Sequence, residues 1–262
     1  MSCVHDCGKG DRMILKVLSG ILWILFLGTV IYGSMFWLLC LTDWEKTVHV
    51  KKGKRRVLGG IAVGNAIAVI LICRMEEQME IGAVGKQAFR MGATEILLSL
   101  LAGGLLAAAC MDAENCYVYN YVWWWCLLWT GSLCGISAAG QNTAGGLWRI
   151  ADQTGMRQMA SVVLFVFLQQ YLFARMYGRA DSHAFSVCAL AGCHWRGEML
   201  WFLIHMLLAL SLLAVVQLRK GNVTRRGRLR TPEPFIPYIV ITFWAEIVGM
   251  LCLRGGLTHI YA

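Results

Sequence analysis

The charges of this chain are gathered between long apolar blocks, and that alternation constrains its fold more than any other feature. The blocks run roughly over 13–41, 57–74, 92–111, 119–139, 160–178, 183–195, 199–218 and 235–253. About twenty apolar residues in an α-helix match the hydrocarbon thickness of a bilayer, and in lipid only helices and closed barrels satisfy their backbone polar groups. The pattern predicts an all-α, polytopic integral membrane protein with about eight transmembrane helices. The sixth block is short for a full crossing and is expected to be tilted, partly re-entrant or buried by its neighbours. Composition agrees, with 58% of the 262 residues hydrophobic and 15% charged, against about 25% charged in ordinary soluble domains. A disordered chain, a collagen and a secreted disulfide framework are excluded on the same grounds.

The formal charge of +9 would suggest nucleic acid in a soluble protein, so the placement of the charges decides. Lys46, Lys51, Lys52, Lys54, Arg55 and Arg56 form one cluster, and six more basic residues lie between Arg219 and Arg230. Both flank apolar blocks, the signature of short cytoplasmic loops; attraction to anionic lipid is expected and nucleic acid is not. With eight spans the first and seventh loops share a side. The third and fifth loops then also face the cytoplasm, and both termini lie outside. The first apolar block is too long for a cleavable signal.

Most of the eleven cysteines, including Cys40, Cys73, Cys110, Cys126, Cys134, Cys188 and Cys252, fall in or beside apolar blocks, where Cys acts as a small hydrophobe. Cys3 and Cys7 lack the second Cys or His pair of a zinc site, so no metal is assigned. Gly60 with Gly64, and Gly103 with Gly104, mark places where helices either approach closely or carry ordinary membrane glycines.

Parity puts Asp112, in the third loop, and Asp181, in the fifth, on one face of the membrane. An ionisable group at a span end in apolar surroundings is a functional candidate. Two carboxylates meeting in a partly desolvated pocket do not both ionise easily, so one holds a proton while the other is charged. Such a pair can activate a water and protonate a carbonyl, which is aspartic peptidase chemistry. The alternative is that each Asp caps a helix.

The surrounding residues carry a resemblance. The run AAACMDAENCYVYN holds Asp112 and the triplet Val118, Tyr119, Asn120; Gly178, Arg179, Ala180 and Asp181 stand as a G-x-G-D-like motif; EPFIPYIVITF covers 233–243. Together, over about 92–254, they resemble the type IV prepilin peptidase family: its first Asp motif with an Ile-Pro-Asn-like triplet, its G-x-G-D, and the Pro-Phe-x-Pro segment that opens its last span. Ala180 replaces the second glycine of that motif, Tyr119 stands where many members have Pro, and His183 where many have Lys. The resemblance implies two N-terminal spans over 1–91 and a six-helix membrane core over 92–262. It also implies an intramembrane aspartic endopeptidase, with Asp112 and Asp181 catalytic and Gly178, Ala180 and Asn120 at the substrate. No cofactor is implied. The expected partners are prepilin or pseudopilin precursors, cleaved behind a basic leader at the cytoplasmic face of the cell membrane. The cysteine-rich insert that fuller members carry between their first two spans, associated with N-methylation, is missing from the short basic first loop. The alternatives are a catalytically silent scaffold or assembly factor, or a small transporter using Glu246.

Among other polar residues, Asp43 and Glu45 read as solvated juxtamembrane charges. Gln169, Gln170 and His205 read as interhelical hydrogen-bonding groups. Glu246, deep in the last block, is either functional or a protonated or hydrogen-bonded helix contact. His183 either tunes the aspartates or simply ends a helix. Tyr117, Tyr119, Tyr121 and Trp123 to Trp125 are expected to form an interfacial aromatic belt.

Overall fold

The computed structural model describes residues 7–41, 52–79, 87–140, 153–193, 199–220 and 233–260. Among them are eight α-helices: α1 Cys7–Cys40, α2 Lys52–Met79, α3 Gln87–Asn115, α4 Asn120–Gly140, α5 Gln153–Tyr171, α6 Arg179–Gly192, α7 Met199–Arg219 and α8 Ile236–Ile260. One helix forms at each apolar block, and no strand occurs among the described residues. Cys3, Asp43, Glu45 and the cluster Arg225 to Arg230 lie outside the described residues. Four helical segments are long and apolar enough to cross a membrane: Val17–Cys40, Val57–Arg74, Gly92–Asn115 and Met199–Arg219. The protein is thus all-helical, with the character of a membrane protein.

The fifth block departs from expectation. The helix breaks off at Tyr171 rather than running to 178, and a short 3-10 turn, Phe173–Arg175, leads into α6. Leu172 and Met176 flank that turn in helical backbone angles, so the chain tightens here instead of ending. At fourteen residues, α6 spans about 21 Å at 1.5 Å per residue, too short to cross alone. It is buried by its neighbours, with Ser182, Ala184 to Ala189 and Ala191 all enclosed.

Two helices organise the packing. α3 touches α1, α2, α4 and α8, and α8 reaches from α3 across to α6 and α7. The Leu and Ala of α3 lose little side-chain freedom in a helix, and its two glycines let neighbours close in. A Cβ on Gly103 would sit 2.8 Å from the Ile31 carbonyl oxygen and against Ser34 of α1, while one on Gly104 would sit 2.8 Å from Cys126 Sγ of α4. Gly60 and Gly64 mark no such approach, since a Cβ there would meet nothing within 4 Å.

Candidate active site at one end of the bundle

α3 ends at Asn115, and Cys116 follows with φ +50°. Its amide donates to the Asp112 carbonyl at 2.9 Å, the hydrogen bond of a left-handed helix stop. The chain turns through Tyr117 to Tyr119 into α4. Asp112 is thereby held on the last turn of α3, only 6% exposed. Its Oδ2 accepts the Ile236 amide of α8 at 2.9 Å, and the Phe235 amide is a second donor to it. Asp112 thus caps a helix, as the alternative to catalysis has it, and the helix it caps is α8 rather than its own.

Asp181 sits in the first turn of α6, ahead of the apolar run that follows. Burial, and then the nearby charge of Asp112, push its carboxyl up to about 7. The two aspartates, 69 positions apart in sequence, therefore share one end of the bundle within electrostatic reach of each other. Gly178 caps α6 with φ +122° and ψ 160°, a backbone state essentially confined to glycine. Ala180 lies within the helix. Only Gly178, of the two small residues in the motif, needs glycine's freedom, so Ala180 gives up no positive φ and the replacement carries no backbone penalty.

Next to Asp181, Gln169 and Gln170 join a polar network with Tyr177 and Ser182, two residues that the sequence did not single out. The Tyr177 hydroxyl donates to Gln169 Oε1, whose side chain is fully buried and whose Nε2 meets Met206 sulfur at 3.5 Å. The same hydroxyl lies within reach of Ser182 and of the Asp181 charge. Ser182 Oγ donates back to the Gly178 carbonyl at 3.1 Å, and Gln170 donates to Ser186 Oγ at 3.0 Å. Tyr177 also packs on Phe185 and Phe235, tying the start of α6 to the start of α8. Nothing in local spacing marks Tyr177 as special; only the fold brings these groups together.

The remaining candidates divide. Gln169, Gln170 and His205 do make interhelical contacts, His205 Nε2 donating to the Ile239 carbonyl at 2.9 Å. Asn120 is exposed in the first turn of α4 and makes no hydrogen bond to either aspartate among the described residues. The His183 ring packs beside Trp123, with ring centres 5.9 Å apart, and Arg179 is its charged neighbour. The aromatic run is split: Tyr117, Tyr119 and Trp124 face outward, whereas Trp123 is buried and Trp125 Nε1 donates to the Leu100 carbonyl at 3.1 Å. Glu246 has a buried Oε1 without a hydrogen-bond partner among the described residues, near Cys188. No group of three or more His, Cys, Asp or Glu among the described residues has the arrangement of a metal site.

No known protein family, curated protein or solved structure matches this chain.

Proposed function

We propose that the protein is an intramembrane aspartic endopeptidase of the prepilin peptidase type, with all eight helices embedded in the cell membrane and the aspartates at the cytoplasmic face. The observation that carries this reading is the convergence of three separated motifs. Asp112, the Gly178 to Asp181 turn and the Pro234 to Pro237 segment meet at one end of the bundle. One carboxylate takes a proton from a water while the other gives one to the scissile carbonyl. Substrates are pilin-like precursors whose basic leader is drawn to anionic headgroups. Gly178 leaves room for substrate backbone near Asp181, with Ala180 and the exposed Asn120 as the further contacts that the resemblance implies. The chemistry needs neither metal nor organic cofactor.

A second reading has a specific observation behind it. Both amide donors on Asp112 belong to the start of α8, which is also what a purely structural cap in a silent scaffold would show. Asparagine separates the two, because it caps about as well as aspartate but cannot cycle a proton. Co-expression with a candidate precursor, followed as a mobility shift, tests this. Asp112→Asn and Asp181→Asn are each expected to lower cleavage by about 10²–10⁴-fold with insertion intact, and Asp43→Asn to leave it unchanged. Near-normal cleavage by either of the first two variants overturns the peptidase reading.

A further inference from the structure

The two aspartates are not equivalent. Asp112 faces the segment Pro234, Phe235, Ile236, Pro237. The prolines at both ends have no amide hydrogen, so the segment offers two N–H groups, those of Phe235 and Ile236. Both go to Asp112. The next two amides of α8, those of Tyr238 and Ile239, turn back onto the Phe235 carbonyl. Backbone N–H groups at a helix start favour a charged acceptor, both by direct hydrogen bonding and by the partial positive charge of the helix end. Burial bears on both carboxyls, and Asp181 also stands at a helix start, in the first turn of α6. The difference is that amides of α8 bond directly to Asp112, whereas at Asp181 the Asp112 charge adds to the cost of burial.

We infer that Pro234 to Pro237 forms a two-amide clamp that keeps Asp112 the charged member of the pair, so that Asp181 carries the exchangeable proton. This rests on the peptidase reading only for its catalytic meaning. Asp112 then takes a proton from water as the water oxygen bonds to the scissile carbonyl carbon, and the Asp181 proton passes to the carbonyl oxygen. In collapse of the resulting gem-diol, the proton held on Asp112 goes to the departing nitrogen as the C–N bond breaks. A diol hydroxyl returns its proton to Asp181, restoring the starting state.

Other titratable groups at this end do not reverse the order. Tyr177 hydrogen-bonds to Gln169, Arg179 neighbours His183, Glu233 is paired with Lys220, and Glu114 is exposed on the last turn of α3.

The test is infrared spectroscopy of the full-length protein in lipid nanodiscs, with the six aspartates carrying ¹³C at the side-chain carboxyl so that glutamates do not contribute. The unmodified protein should show one protonated aspartate that ionises with a midpoint near 7. Asp181→Asn should abolish that signal and leave no aspartate protonated at pH 6. Asp112→Asn should retain an Asp181 signal with a lowered midpoint, because the repelling charge is gone. A protonated aspartate near neutral pH in Asp181→Asn, or its loss in Asp112→Asn over the whole range, overturns the assignment. Because no substrate enters the measurement, failure of the clamp and failure of the peptidase reading are told apart: an inactive protein can still show the predicted titration.

Discussion

Replacing Gly178 with alanine tests whether the start of α6 is built on a backbone state that only glycine enters freely. At φ +122° and ψ 160°, a side-chain-bearing residue is strained by about 1–3 kcal/mol. The added Cβ would lie 3.5 Å from Asp181 Oδ2, an ordinary contact, so the cost is backbone strain with no clash to add. Relief comes from rotating the turn, which shifts Asp181 relative to Asp112. Gly178→Ala is therefore expected to lose about 1–3 kcal/mol of stability, measured by reversible unfolding in mixed micelles, and to shift the Asp181 protonation midpoint. Ala180→Gly is the control. It lies in helical backbone and is expected to cost about 1 kcal/mol or less, with the midpoint unmoved. The reasoning is refuted if Gly178→Ala is as stable as the unmodified protein, or if Ala180→Gly is the more damaging change.

Gly103→Val should separate α1 from α3, since even a Cβ meets the Ile31 carbonyl at 2.8 Å; destabilisation by about 1–3 kcal/mol is expected in the same unfolding assay, against little effect for Gly64→Val. Glu95 is buried on α3 and accepts the Trp23 indole N–H at 2.5 Å. Glu95→Gln preserves that acceptor and should be tolerated, whereas Glu95→Leu strands the indole and should cost about 1–3 kcal/mol. Cysteine-accessibility labelling should place positions 51–56 and 225–230 in the cytoplasm and Gln153 outside; labelling of the two basic regions from opposite sides would refute the eight-span count.

The sequence by itself determined that helices form and where. Lipid allows a single chain few ways to satisfy its backbone, so a twenty-residue apolar block has little choice but to be helical, and each block became a helix. It also marked Asp112 and Asp181, because charge beside an apolar run is costly unless something uses it. Gln169 and His205 were legible as interhelical groups for the same reason. What stayed hidden depends on neighbours. That α6 is a short enclosed helix, that the chain tightens into a 3-10 turn at Phe173, and that Tyr177 stands over a buried glutamine follow from how α5, α6 and α7 pack. Gly60 and Gly103 look alike in sequence, yet only Gly103 has a helix pressed against it, since a small residue permits close approach without compelling it. The difference between the two carboxylates was equally out of reach. It arises because α8 aims its two free amides at Asp112, and the direction of a helix end relative to another helix is a property of the folded bundle, not of any local stretch of residues.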